Sequence, residues 1–492
     1  MCADGGSREL TPADSAPYTA GAPVGLFHPF ISFLMTSPIT DLPFSRHTLP
    51  NGLRVVLHPD RSLPLVAINL WYHVGSKNER PGRTGFAHLF EHMLFQGSEH
   101  VGTNDHFRYV QQVGGVANGS TWYDRTNYYE TLPAHQLDLG LWLESDRMGF
   151  LLPAITAENL ETQRQVVMNE RRQRIENQPY GLASERLREL LYPLDHPYHW
   201  PVIGYMDDIA AATLDEVRTF FRTYYAPNNA VLTLAGDFEP GAALERIDAW
   251  FAEIPAGPPV PPLPPQVDNP PPLPASAAER RTLIEDDIRL PRIYLACRTP
   301  AFGQRLWYAA DLLAVVLATG KSSRLYRDLV YERQIAQDVS AYVNPFEAVG
   351  DFMVIATVRP GIEPAVVEAV IHDHLARAAA APPTAKELAG ARSRVLTDYW
   401  SALELLTNRA DSFSQYTTYF DDPGRLASEA DRYRSIGAQE LQELAAGFLG
   451  PEAQVVVTVV PKTSPAMVSI PPAPEDLLDS PEPPALPDPP VS

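Results

Sequence analysis

The stretch Gly85-Phe86-Ala87-His88-Leu89-Phe90-Glu91-His92-Met93-Leu94 constrains this chain more than any other. It is helix-compatible, and at 3.6 residues per turn His88 and His92 share one face, so both imidazoles can point a ring nitrogen at one ion. Glu91 then lies beside that ion. Two imidazoles and a carboxylate on one turn are the pattern of a zinc hydrolase. The same histidines are also compatible with core residues satisfied by backbone carbonyls, and a third ligand decides between the two readings.

A catalytic zinc takes three protein ligands and keeps one position open, so the third must come from another element. Residues Thr156 to Arg172 read as a helix with Thr156 as N-cap and early acids that suit the dipole. Glu170 is placed on the face of Val166 and Val167. A carboxylate on the apolar side of a helix is costly unless paired or metal-bound, which favours Glu170 over Glu158 or Glu161.

On these residues the chain resembles the M16 metallopeptidases, the inverted-zincin group that includes the mitochondrial processing peptidase and pitrilysin-like enzymes. Leu49-Pro50-Asn51-Gly52-Leu53-Arg54-Val55-Val56, Gly75-Ser76-Lys77-Asn78-Glu79 and Val167-Met168-Asn169-Glu170-Arg171-Arg172 look like family segments in family order. His92 and Glu170 are 170 − 92 = 78 positions apart, similar to the family spacing, and the resemblance spans roughly residues 41 to 460. It implies one Zn2+ per chain held by His88, His92 and Glu170, with Glu91 as general base. The family often has a second acid seven residues before the third ligand. Here Gln163 stands there, an amide able to orient a ligating histidine or water but unable to ionise.

The segment Gly114 to Glu130, with paired glycines followed by aromatic and β-branched residues, reads as a turn into a strand and resembles the family's edge strand. An exposed edge accepts an extended peptide through main-chain hydrogen bonds, which makes Ala117, Asn118, Gly119, Ser120 and Thr121 the expected substrate-binding residues. An ordinary packed hairpin is the competing reading. His196 and His199 lie in a proline-punctuated loop and are read as structural. His372 and His374, two apart, are expected to be solvated. His58, His73, His100 and His106 stand alone and are read as structural or surface groups.

A chain of 492 residues is too long for one core. The expected division is an N-terminal extension at 1–40, a zinc-bearing domain at 41–254, a proline-rich linker at 255–275, a degenerate second domain at 276–463 and a proline-rich tail at 464–492, both ends disordered. The expected fold class is α+β: two homologous domains, each a mainly antiparallel sheet with helices on one face (the LuxS and processing-peptidase type of metallohydrolase fold), facing each other across a cleft. In the second domain, strand Arg292–Cys297 and helix Leu306–Leu317 fall where the first carries its histidines, and of the metal-type side chains only Asp311 remains.

The segment Gly320-Lys321-Ser322-Ser323-Arg324-Leu325-Tyr326 anchors the alignment with the family. In many relatives an arginine and a tyrosine seven apart follow it, holding substrate and stabilising the tetrahedral intermediate. Val330 and Gln337 occupy those places here, while Arg324 and Tyr331, also seven apart, belong to the anchor helix. In this respect the chain is similar to the beta subunit of the mitochondrial processing peptidase and to bacterial two-subunit relatives. The implied partner is a homologous non-metal subunit that supplies the arginine and tyrosine.

The net charge of −21 argues against nucleic acid and anionic membranes as partners. No apolar run is long enough to span a membrane, and with no convincing signal peptide and only Cys2 and Cys297, a reducing cytoplasmic compartment is expected. The expected function is a zinc endopeptidase acting on short or unfolded peptides. The alternative is a non-hydrolytic assembly or peptide-binding subunit.

Overall fold

The computed structural model describes residues 42–264 and 267–462. The expected terminal extension and tail, 1–40 and 464–492, lie outside the described residues. Among the described residues, eleven strands form two sheets. The first has β1 (Ser45–Thr48), β2 (Arg54–Pro59), β3 (Leu65–Tyr72), β4 (Val116–Thr121), β5 (Thr126–Pro133) and β6 (Ala230–Gly236) in the order β1-β2-β6-β3-β5-β4. The second has β7 (Arg281–Asp286), β8 (Arg292–Thr299), β9 (Ala336–Asn344), β10 (Gly350–Val358) and β11 (Gln454–Pro461) in the order β7-β11-β8-β10-β9.

The two orders superpose once β1 is set aside. In each sheet the first strand of the repeat runs parallel to the last, as β2 to β6 and β7 to β11, and every other pairing is antiparallel. This is the two-domain α+β fold expected from the sequence, and the helix Arg305–Ala318 stands between β8 and β9 as the histidine helix stands between β3 and β4. Central strands such as β6, Ala-Val-Leu-Thr-Leu-Ala-Gly, are buried throughout, whereas β4, Val-Ala-Asn-Gly-Ser-Thr, carries the polar sequence of an edge.

Side-chain alternation divides each sheet into two apolar faces. On one face of the first sheet, Val55, Leu57, Ile68, Leu70 and Tyr72 pack on Phe86, Leu89, Phe90 and Met93 of the histidine helix. On the other, Ala67 and Ala235 meet Leu406 and Ala410 of the helix Leu406–Phe420, which comes from the second half of the chain. The second sheet repays this. Ile293, Leu295 and Cys297 face its own helices, while Tyr294 and Ala296 pack on Ala183, Leu187 and Leu191 of the helix Ala183–Leu191 from the first half. The halves therefore exchange covering helices.

The exchanged helix Leu406–Phe420 is also pinned by polar contacts. Asp411 Oδ1 accepts hydrogen bonds from Asn69 Nδ2 at 3.2 Å, Trp71 Nε1 at 2.7 Å and Asn127 Nδ2 at 3.0 Å, all on the first sheet. Between Phe251 and Arg281 the described residues form no helix or strand, and among the described residues no helix is long and apolar enough to cross a membrane.

Because one carboxylate oxygen serves three donors in a largely dry interface, Asp411→Ala is expected to destabilise the fold by about 2–4 kcal/mol. Asp411→Asn, which keeps an acceptor, should lose less. Urea unfolding midpoints at constant slope measure both.

Candidate metal centre and substrate edge

The histidine helix runs Phe86–Met93 and starts at Gly85, whose φ of 86° is left-handed. A Cβ there would stand 2.6 Å from the Ile203 carbonyl oxygen, so only glycine lets the helix begin this close to the neighbouring loop. Glycine brings no capping side chain. Glu79 supplies the cap instead: its Oε2 accepts from Gly85 N–H and its Oε1 from Ala87 N–H, each at 2.8 Å. Burial drives this carboxyl well above the usual range, against the pull of the backbone N–H groups. In the sequence, Glu79 carries no motif that marks it as a cap. Its position six residues before a glycine-started helix was the available signal.

The second helix runs Ala157–Arg171, with Thr156 as N-cap accepting from Asn159 N–H. Its buried face carries Leu160, Gln163 and Val167, while Val166 is exposed, so Glu170 shares a face with Val167 alone of the two valines. This corrects the expected face: the three-, seven- and ten-residue steps back from Glu170 select Val167, Gln163 and Leu160. A π-helical turn, Arg172–Glu176, follows at once, and Arg174 Nη1 lies 2.6 Å from Glu170 Oε1.

The fold brings His88, His92 and Glu170 together. Glu170 Oε2 is 3.1 Å from His92 Nε2 and 3.7 Å from His88 Nε2, and one ligand atom from each residue lies within 4.8 Å of the others. Tetrahedral zinc bonds of roughly 2.0–2.1 Å place ligand atoms about 3.3 Å apart, between those two separations. Glu170 Oε2 and His88 Nδ1 are buried without hydrogen-bond partners. Two imidazole nitrogens and an orphaned carboxylate oxygen at this spacing fit a zinc ion.

The electrostatics suit that use. Burial, with the charge of His92 adding to it, pushes His88 down to about 4, so its imidazole is neutral and free to ligate at neutral pH. His92 beside it holds the Glu170 carboxyl below the usual range, overcoming burial. Burial raises that of Glu91. Gln163 is buried on the ligand helix but makes no hydrogen bond to either imidazole among the described residues.

Strand β4 is the free edge of the first sheet. A Cβ on Gly119 would stand 3.2 Å from Glu91 Cγ and 3.1 Å from a Phe95 ring carbon, so the edge passes directly against Glu91. Val116 and Asn118 are exposed, and Ala117 and Thr121 half-buried. Ser120 is committed elsewhere, with Oγ donating to Asn127 Oδ1 at 2.6 Å and accepting from Arg125 Nη1 at 2.7 Å.

The remaining candidates are structural. His196 Nε2 meets the Val267 carbonyl and His199 Nδ1 the Tyr192 carbonyl, both at 2.8 Å. His374, expected to be solvated, is instead buried with Nε2 2.8 Å from Asp328 Oδ2, because its helix packs that face inward; His372 contacts Glu368. Asp311 accepts from the Tyr433 hydroxyl at 2.8 Å. Arg324 forms a bidentate pair with Glu387, Tyr331 is exposed, and Gln337 is exposed on β9. A second cluster, His106, Glu130 and Glu144, is fully buried, but Arg147 pairs with Glu144 and already fills the place of a cation.

Two family profiles match: "Insulinase (Peptidase family M16)" over residues 54–196 and "Peptidase M16 inactive domain" over residues 211–395. Zinc protease PqqE of Helicobacter pylori is 30% identical over 378 residues, covering 77% of this chain and 84% of that protein. The chain belongs to the M16 peptidase family. An uncharacterized zinc protease of Streptomyces coelicolor is 29% identical over 317 residues, covering 64% of this chain and 68% of the relative. The crystal structure of a protease from Helicobacter pylori matches with a TM-score of 0.78 and 28% identity, over 85% of this chain and 99% of that one. Within this M16 chain the inactive-domain match, residues 211–395, covers no metal-ligand cluster among the described residues.

Glu79→Ala is expected to leave two N–H groups at the helix start unpaired, costing about 1–3 kcal/mol of stability, and to weaken zinc retention. Glu79→Gln keeps an acceptor and should recover most of both. Thermal unfolding and competition against a zinc chelator check the two effects.

Proposed function

We propose that this M16 protein is a zinc-dependent endopeptidase that binds a short or unfolded peptide as an added strand on β4 and cleaves it beside Glu91. The observation that carries the reading is the meeting of His88, His92 and Glu170 next to a free strand edge whose Gly119 touches Glu91.

His88, His92 and Glu170 hold the zinc. The ion, when bound, supplies a Lewis acid that polarises the scissile carbonyl and acidifies a water molecule. Glu91 takes the proton of the attacking water and delivers it to the leaving amine. Its burial-raised carboxyl brings proton affinity closer to neutral pH, where a general base is most effective. The β4 backbone holds the peptide main chain, so recognition along it is loose in sequence. Gly119 keeps that main chain close to the carboxylate. Gln163, buried on the ligand helix, shapes the surroundings of the site without adding charge.

The chain is the catalytic member of a heteromer. Val330 is partly buried against the core and Gln337 is exposed on β9, so neither place offers the cationic or phenolic donor that an oxyanion needs. Arg324 is spent on Glu387. A homologous subunit without a metal site supplies the arginine and tyrosine. A non-hydrolytic peptide-binding or assembly role is the reading that stands if hydrolysis is absent.

Glu91→Gln is expected to keep zinc and peptide binding while lowering kcat by about 10²–10⁴-fold. An unchanged turnover number overturns the assignment of the base. Adding the non-metal homologue should raise the kcat/KM of the zinc-loaded chain by roughly 10²-fold or more, the scale of an oxyanion donor. Full activity of the chain alone, indifferent to that addition, removes the heteromer.

A further inference from the structure

Next to the metal centre lies a cavity of about 400 Å3, with His88, Glu170 and Thr121 at one side. Its walls are apolar, among them Leu187, Leu191, Val202 and Met353. Both halves of the chain build it, because Arg188 of the exchanged helix Ala183–Leu191 here meets Asp351 of β10 in the second sheet.

The polar groups of this cavity are unevenly matched. Arg188 Nη2 donates to Asp351 Oδ2 at 3.2 Å, while Arg188 Nη1 is buried with no partner. Asp351 is fully engaged on its other oxygen, which accepts from Asn344 Nδ2 at 2.5 Å. The rings of Tyr123 and Phe346 flank the guanidinium at 4.2 Å and 4.8 Å and hold it in place. Arg174, mostly exposed, adds a second cation next to Glu170. Glu170 Oε2 and the Thr121 hydroxyl at the other side of the cavity are also without partners, so once Glu170 Oε2 is given to the ion, Arg188 Nη1 is the charged group left unpaired.

We propose that this cavity receives one side chain of the bound peptide and that Arg188 makes it select glutamate. The proposal rests on the strand-binding peptidase reading and names its substrate class. Apolar walls suit the methylene stem, and a carboxylate satisfies the unpaired Nη1 through a charge-assisted bond. Glutamine satisfies it more weakly. Leucine fills the walls but leaves the donor buried and unpaired, and lysine sets a cation against Arg188 and Arg174.

The test measures binding apart from turnover. Alanine- and glycine-rich peptides, identical except for one central Glu, Gln, Leu or Lys, are titrated against the full-length, zinc-loaded Glu91→Gln protein. Such peptides can slide along β4 until the variable residue meets the cavity. The Glu peptide is expected to bind about tenfold tighter than the Leu peptide, with Lys weakest. Introducing Arg188→Leu should bring the Glu and Leu peptides within about threefold of each other. Because Arg188→Leu alone strands Asp351 in the interior, the pair Arg188→Leu with Asp351→Asn serves as a second variant that leaves neither charge buried. Equal binding of Glu and Leu peptides to the Arg188 protein overturns the proposal, as does a Glu preference that survives in the folded double variant. Cleavage of the same peptides by the zinc-loaded chain with Glu91 intact, with the partner present, is scored separately. Glu-selective binding without cleavage of any peptide overturns the peptidase reading and supports the cavity's selectivity.

Discussion

The approach of Glu170 Oε2 to the His88 and His92 imidazoles is the contact on which the candidate metal centre depends. No single element can make it. The histidines are four apart on one helix, and the carboxylate arrives from a helix that begins more than sixty positions later. Each helix is therefore fixed by contacts that have nothing to do with metal. The histidine helix is seated by Leu89, Phe90 and Met93 on the first sheet and capped by Glu79, and the ligand helix is seated by Leu160 and Val167. The site gains its rigidity from that packing, since a half-buried carboxylate and two half-buried imidazoles without an ion would otherwise favour moving apart or into water.

A second set of charges, around buried Lys77, ties the edge strand β4 to the rest of the molecule. Lys77 is buried against Asp124 Oδ1 at 3.2 Å and against Glu347. Burial opposes its charge, yet the two carboxylates outweigh burial and keep its ammonium above the usual range. Asp124 also accepts from the Tyr198 hydroxyl at 2.6 Å and from Glu347 N–H at 3.1 Å. Asp124 sits in the turn between β4 and β5, and Glu347 in the loop between β9 and β10. The turn that presents the edge strand is thus held from both halves of the chain. Together with the exchange of covering helices, this makes the second half a structural part of the histidine-bearing one rather than an appended domain.

Much of the architecture was legible because it repeats. A strand, a helix and an edge strand recur in the second half in the same order, with the helix at Arg305–Ala318 stripped of its ligands, and apolar periodicity alone exposes that correspondence. The N-cap of the ligand helix at Thr156 and the hairpin at Gly114 to Glu130 were legible from local chemistry as well. Residues that act at a distance were not. Glu79 caps a helix six positions on, Asp411 serves three donors from two strands, and Arg188 faces Asp351 across the two halves. His374 illustrates the converse: spacing suggested solvent, and the packing of its helix buried it beside Asp328.

By itself the sequence placed two imidazoles and a carboxylate on one helical turn, because donor type and helical spacing are local properties: two imidazoles four apart share a face in any helix. It also determined the edge character of β4 and the loss of ligands from the second repeat. Glu170 was already singled out in the sequence, whereas only the tertiary structure decided how closely it approaches the imidazoles, which glycine passes against Glu91, and that each half covers the other's sheet. Those outcomes depend on the relative placement of whole elements, which is set by how many apolar faces are matched at once and is written in no short stretch of the chain.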